Sequence, residues 1–317
     1  MIRLFLALLL VPALAWAQAY PNRPVKVVVT YPPGGTPDIY GRVMAAELQK
    51  KWAQPVIVEN RTGAAGTIGT EAVAKAPPDG YTLLFAADAT VTLAPAVIAK
   101  LPYDPVRDLT PIVNVASGPF VLLAHPAFPA STVQEFVALA KKQPGKIPYA
   151  SSGAGGQQHL AMETVRAMTG IDVLHIPYKG FGQGLTDVMA GQVPLIFGGI
   201  TASISLIKSG KVKGIAVTSA RRAKALPDVP TFAESGLPGF DIQAWYGFIG
   251  PPGLARDIVS KVNGDSLAII ERPDFQERLA RDGIEPVGNS PEAFAAQIRA
   301  DIERWAKIVK AAGIRPE

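Results

Sequence analysis

Two glycine-rich loops, each between a β-strand and a helix, contain the residues of this sequence that are best suited to ligand chemistry. The first is Tyr31–Asp38 and the second is Ser151–Gln158. Glycines allow the main chain to approach a ligand closely, and the first turn of the following helix has N–H groups without an intrahelical partner. Such helix ends attract anions. Because neither loop contains a lysine or arginine, we expect an anion to be held by main-chain N–H groups and by the hydroxyls of Thr36 and Ser152.

Side chains that commonly act as nucleophiles or metal ligands form no recognisable motif. The chain contains no cysteine, and His125, His159 and His175 are too widely spaced for a metal-ligand motif, so we interpret them as structural. Neither a phosphate-binding G-x-x-x-x-G-K-[ST] motif nor a G-x-S-x-G serine motif occurs. Asp38 could bind an ammonium group, but a first-turn acid that pairs with Arg42 is the better explanation. The sequence therefore predicts a protein that is not an enzyme and has no cofactor or metal.

The composition is that of a globular protein with a large apolar core. Of the 317 residues, 48% are hydrophobic and 18% are charged, which excludes a disordered chain. This length suits two domains or one large domain. The net charge of +5 is dispersed along the chain instead of forming a basic stripe, so we expect no nucleic-acid partner.

Residues 1–17 have the pattern of a secretory signal peptide. Arg3 provides a positive charge, Leu4–Ala15 is apolar, and Ala15 and Ala17 are small residues at the positions that signal peptidase recognises. The apolar run is too short to span a membrane as a helix, which needs about 20 residues. We therefore expect a soluble periplasmic protein that begins near Gln18, without a lipid anchor because no cysteine follows the cleavage site.

The segments that must position the two loops alternate between strands and helices. Val25–Val29 predicts a buried strand before the first loop, and the next helix is expected to begin with Thr36 as N-cap and Pro37 in the first helical position. A strand over 146–150 and a helix over 157–168 flank the second loop. Further strands are predicted over 56–59, 81–86, 120–125, 173–176, 193–197, 215–218 and 243–249, and further helices end near 74 or cover 133–141, 184–190, 256–270, 274–281 and 291–311. This alternation is typical of α/β proteins, in which ligands bind at the carboxyl ends of strands.

A series of short motifs runs through nearly the whole chain. They are Tyr31-Pro-Pro-Gly-Gly with Asp38, Glu59-Asn-Arg with Gly63, Pro78-Asp-Gly-Tyr-Thr-Leu-Leu, Leu101-Pro-Tyr-Asp-Pro, Tyr149-Ala-Ser-Ser-Gly with Gln158-His-Leu, Pro177-Tyr-Lys-Gly, Leu185-Thr-Asp with Gly191-Gln-Val, Ala216-Val-Thr-Ser-Ala and Leu226-Pro-Asp-Val-Pro-Thr. In this order, they resemble the substrate-binding proteins of tripartite tricarboxylate transporters, which are also called Bug receptors.

The resemblance implies a two-lobed periplasmic-binding-protein fold that closes on its ligand. Each lobe is expected to be a mostly parallel sheet flanked by helices, with residues 18–122 and 244–317 in lobe 1, residues 123–243 in lobe 2, and the cleft between them. The resemblance also implies that a carboxylate is held by Tyr31, Gly34, Gly35, Thr36, Ser152, Gly153 and Tyr178. Further candidates at strand ends near the cleft are Ala87, Asp88, Gly199 and Thr201. The implied partners are a small organic carboxylate and the membrane components of the transporter, and we expect a monomer.

Departures from the family pattern bear on the ligand. Pro194 and Gly198–Gly199 stand where relatives often carry acidic residues or asparagine, and Phe181 stands where smaller or polar residues are common. These changes leave only Asp38 and Asp88 to accept an ammonium group. We therefore hypothesise an amine-free organic acid, either an aliphatic dicarboxylate or an aromatic carboxylate. The alternatives are a periplasmic α/β hydrolase, a receptor diverted to signalling, and an adaptor that binds only other proteins.

Overall fold

The computed structural model describes residues 20–316 of the chain. The predicted signal peptide, residues 1–17, lies outside the described residues and stays a prediction. The strands are β1 (Val25–Val29), β2 (Val56–Asn60), β3 (Thr82–Ala87), β4 (Thr110–Ala124), β5 (Pro148–Ser151), β6 (Leu174–Pro177), β7 (Leu195–Gly199), β8 (Lys213–Val217), β9 (Gln243–Gly250) and β10 (Glu285–Pro286). The helices are α1 (Thr36–Trp52), α2 (Thr67–Ala74), α3 (Ala94–Val97), α4 (Val133–Lys142), α5 (Gln157–Thr169), α6 (Phe181–Met189), α7 (Ile200–Lys208), α8 (Arg256–Ile270), α9 (Pro273–Arg281) and α10 (Pro291–Ala311). A 3-10 turn covers Ala64–Gly66 and a π-helical turn covers Ala89–Leu93.

The first half of the molecule is built on three parallel strands in the order β2-β1-β3. Strand β9 then pairs antiparallel with β3, and β4 pairs antiparallel with β9. Every valine of β1 is buried, because helices cover the sheet and a strand enclosed on both faces is apolar nearly throughout. The chain leaves β1 at Thr30 and enters the first glycine-rich loop.

One long strand, β4, belongs to both halves. Its residues from Thr110 to Pro119 pair with β9, whereas Phe120–Ala124 pair with β7 and β8. Sequence patterns predicted only the second part of this strand, because Pro111 and Pro119 disfavour a strand in the first part. Register shifts beside Pro111 show how the first part accommodates such residues.

The second half repeats the arrangement of the first. Strands β6, β5 and β7 are parallel, and β7 and β8 both pair antiparallel with β4. Strand β5 ends at Ser151, where the second glycine-rich loop begins, so both loops follow the carboxyl end of a parallel strand.

The long helix α10 packs against the cores of both halves. Phe294, near its start, is buried with Trp245 in one cluster, whereas Trp305 and Val309 are buried in a cluster that also contains Phe120. Within residues 20–316, no helix is long and apolar enough to cross a membrane.

Candidate ligand-binding site

A cavity of 640 Å³ lies beside both glycine-rich loops. Pockets for small organic ligands usually have volumes of roughly 300–1,000 Å³. The cavity is lined by residues from the segments 30–32, 62–66, 89–98 and 152–158, together with Phe120 and residues 314–315. Tyr31 and Ser152, two residues selected from the sequence, line the cavity, one from each loop.

Asp38 holds the first glycine-rich loop in place. It is 3% exposed, and its carboxylate accepts hydrogen bonds from the N–H of Gly34 (2.9 Å), the guanidinium of Arg42 (3.0 Å) and the amide of Asn60 (2.7 Å). Burial by itself would raise the pKa of Asp38, but these three donors outweigh it and the pKa is lowered. The predicted pair with Arg42 is confirmed, and both carboxylate oxygens are already engaged.

Helix α1 begins differently from the sequence prediction. Gly35 and not Thr36 is the N-cap, since Gly35 is extended (φ −72°, ψ 159°) and Thr36 is the first helical residue. The N–H of Gly35 donates to the carbonyl of Pro32 at 3.3 Å, and that of Gly34 is bound by Asp38. The N–H groups of Thr36 and Asp38 have no hydrogen-bond partner among residues 20–316. The donors that the first loop can offer are therefore in the first helical turn, not on the glycines.

The second glycine-rich loop is held by its own side chains. Three of its N–H groups are occupied: Ser152 donates to Gln158 Oε1 (2.8 Å), Gly153 to Ser151 Oγ (3.2 Å) and Gly155 to His159 Nδ1 (3.0 Å). Gly153 has φ +130°, a conformation that residues with a Cβ rarely adopt, so its glycine is needed for the shape of the loop.

The start of α5 retains free donors next to the cavity. No side chain caps this helix, and the N–H groups of residues 157–159 have no partner in the described part of the chain. The same holds for the hydroxyl of Ser152 on the cavity wall. A carboxylate placed here would meet free N–H groups of the first turn and the positive end of the helix dipole.

Two stacked histidines support the second loop from the protein interior. The rings of His159 and His175 are 3.9 Å apart between centroids and 7° from parallel. His175 Nε2 lies 2.6 Å from Ser151 Oγ. The pKa of His175 is lowered to about 4, mainly because the ring is partly buried and secondly because His159 lies beside it. His175 is therefore neutral near pH 7. His159 accepts the Gly155 N–H and therefore has an unprotonated Nδ1. These contacts agree with a structural role for both rings.

Asp88 joins the two halves of the molecule beside the cavity. It follows β3, is 1% exposed, and its Oδ2 accepts a hydrogen bond of 2.5 Å from Gln157 at the start of α5. The pKa of Asp88 is raised well above its usual value, mainly because the carboxyl group is buried and secondly because of the negative charge of Asp301. Gln157 lines the cavity, but Asp88 does not. Asp88 therefore stands behind Gln157.

The remaining sequence candidates do not line the cavity. Ala87 is buried in β3, Tyr178 donates to Asp187 (2.6 Å), Thr201 donates to the carbonyl of Asp282 (2.8 Å), and Gly199 is the N-cap of α7. The structure brings Tyr31 and Ser152 to one cavity with Asp88 behind its wall. Tyr178, Gly199 and Thr201 do not line this cavity, but Tyr178 lies beside the second loop, because its N–H donates to the carbonyl of Ser151 at 2.9 Å.

Three further residues line the cavity although they were not expected from the sequence, namely Gln157, Gln158 and Arg315. The two glutamines could have been selected from their position in the first turn of a helix after a glycine-rich loop. In residues 20–316, no group of three or more histidine, aspartate or glutamate side chains could hold a metal ion.

Comparison with known proteins gives consistent matches. The family model described as "Tripartite tricarboxylate transporter family receptor" matches residues 40–314. Among similar solved structures, Rpa4515 of R. palustris with adipate has a TM-score of 0.84 and 33% identity, covering 94% of this chain and 100% of that one. The periplasmic binding protein BugD has a TM-score of 0.81 and 36% identity, with coverages of 94% and 100%. MatC from Rhodopseudomonas palustris with bound malate has a TM-score of 0.79 and 32% identity, with coverages of 92% and 100%. These likenesses confirm the predicted two-lobed fold.

Proposed function

The chain belongs to the tripartite tricarboxylate transporter receptor family, a family of substrate-binding receptors, and we propose that its ligand is a small amine-free organic carboxylate. The observation that carries this proposal is the free first turn of α5 beside a cavity that, among residues 20–316, no acidic side chain lines. Similar receptors were solved with adipate and with malate, both of which are carboxylates.

The cavity wall formed by the described residues offers no acceptor for an ammonium group, which argues against an amino acid as ligand. Both oxygens of Asp38 are engaged, and Asp88 is separated from the cavity by Gln157. A buried ammonium without an acceptor would be very unfavourable. The cavity wall also includes Leu93, Val97 and Phe120, which suit an apolar ligand body.

The cavity lies between the two glycine-rich loops, which supports binding by closure of the lobes. In this proposal, residues 18–122 with 244–317 form lobe 1, residues 123–243 form lobe 2, and the lobes move about β4 and β9. The mature protein is a periplasmic monomer that delivers its ligand to the membrane components of a tripartite transporter.

The hydrolase alternative has one geometric feature in its favour, which is the pair formed by Ser151 and His175. However, Ser151 is completely buried, and its hydroxyl also contacts the N–H and the carbonyl of Gly153. A nucleophile must reach its substrate. This pair is therefore better explained as a support for the loop.

Calorimetry on matched acids tests the proposed ligand class. Succinate is compared with aspartate, and 4-methylbenzoate with 4-(aminomethyl)benzoate, whose amine is protonated at neutral pH, on the wild-type protein and on Asp88→Asn. We expect tighter binding of the amine-free member of each pair. Tighter binding of the amino compounds that is lost in Asp88→Asn would overturn the proposal.

A further inference from the structure

Arg315 provides a positive charge on the wall of the cavity. Among the described residues that line the cavity, it alone has an ionised side chain. Arg315 is exposed, and no hydrogen bond or ion pair within residues 20–316 occupies its guanidinium. Its charge and its donors are therefore available to a ligand.

A defined turn at the end of α10 brings Arg315 to the cavity. Gly313 has φ +66°, its N–H donates to the carbonyl of Lys310, and the N–H of Ile314 donates to the carbonyl of Val309, both at 3.2 Å. This pair of bonds is the Schellman motif, which reverses the chain after a helix. The position of Arg315 thus follows from a hydrogen-bonded turn.

Packing of the preceding residue fixes this turn against the cavity. Ile314 packs on the core cluster that contains Leu93 and Phe120, and both of these residues also line the cavity. The guanidinium, the apolar wall and the first turn of α5 therefore border the same space.

We infer that Arg315 binds a second anionic group of the ligand, and that the receptor therefore prefers dicarboxylates to monocarboxylates. This inference rests on the proposed function. One carboxylate lies at the N–H groups of residues 157–159, the ligand body lies along Leu93 and Phe120, and the second carboxylate pairs with Arg315. A guanidinium suits this task because its planar array of N–H groups matches both oxygens of a carboxylate.

Acids of equal length with one or two carboxylates test this inference. Adipate and hexanoate form an aliphatic pair, and terephthalate and 4-methylbenzoate form an aromatic pair. Calorimetry is performed on the wild-type protein, Arg315→Gln, Arg315→Lys and Lys310→Gln. Lys310→Gln is the matched control, because it removes one exposed positive charge near the same helix end without touching the cavity wall.

We expect Arg315→Gln to lose about tenfold in affinity for the diacid, as is usual for a hydrogen bond to a charged group, and less than about twofold for the monoacid. Arg315→Lys should retain part of the preference, and Lys310→Gln should bind like the wild type. The melting temperature is measured alongside and should be unchanged, since the Arg315 side chain has no partner within the described residues.

Equal weakening of diacid and monoacid in Arg315→Gln would overturn the inference, and so would a loss no larger than that of Lys310→Gln. Wild-type protein that binds only monoacids would overturn it while leaving the proposed function intact. Wild-type protein that binds none of the acids would contradict the proposed function, and the inference would fail with it.

Discussion

The Gln158→Met variant removes the hydrogen bond that holds Ser152 at the cavity. Gln158 is 7% exposed, and its Oε1 accepts the Ser152 N–H at 2.8 Å. Methionine has a similar shape and volume, so packing is retained while the acceptor is lost. Ser152 is exposed, so water can replace the lost partner, and we expect the unfolding free energy to fall by only about 1 kcal/mol. Ordering the loosened loop on binding should cost a similar amount, about fivefold in Kd.

The matched control for this variant is Gln134→Met. Gln134 donates to the carbonyl of Ser235 at 2.8 Å and does not line the cavity. Urea unfolding and calorimetry with the tightest-binding acid are performed on both variants. Both should lose some stability, but only Gln158→Met should lose affinity. Wild-type affinity in Gln158→Met would refute the idea that its hydrogen bond prepares the loop for the ligand.

Three further predictions concern titratable groups that are buried or half-buried. Asp38→Asn should lower the unfolding free energy in urea by about 2–3 kcal/mol, because an amide cannot accept from all three of its donors; an unchanged midpoint would contradict this. Because the pKa of Asp88 is raised, its stabilising effect is complete below about pH 4 and is lost as the pH rises through the folded-state pKa. The unfolding free energy of Asp88→Asn should therefore increase relative to that of the wild type over that rise, and a difference between the two proteins that stays constant with pH would contradict this. Because the pKa of His175 is lowered to about 4, its contribution to the unfolding free energy is complete above about pH 6.5 and is lost as the pH falls towards 4. In urea titrations, the unfolding free energy of His175→Asn should decline less steeply over this range than that of the wild type, and an equally steep decline would contradict the prediction.

Where local signals agreed with each other, sequence patterns located the elements well. Helix α10 covers the predicted 291–311, because Ser290 caps it and Pro291 occupies its first position. The buried strand Val25–Val29 also matches its prediction, since an apolar β-branched run favours an enclosed strand. The prediction failed in the first part of β4, where pairing with β9 overrides the local preference of Pro111 and Pro119.

The site was only partly predictable because its contacts join distant parts of the chain. Tyr31 and Ser152 follow strand ends, which sequence patterns reveal. The bond between Asp88 and Gln157 joins residues 69 positions apart and depends on how the two halves pack. Arg315 reaches the cavity only because a turn after α10 returns the chain to it. No local pattern contains either piece of information.

A crystal structure with the acid that binds most tightly in calorimetry would show directly whether the first turn of α5 holds the ligand. We expect one carboxylate within the cavity, with its oxygens about 2.7–3.2 Å from N–H groups of residues 157–159. An acid bound outside the cavity, or with no carboxylate near the first turn of α5, would show that this helix start is not the binding site.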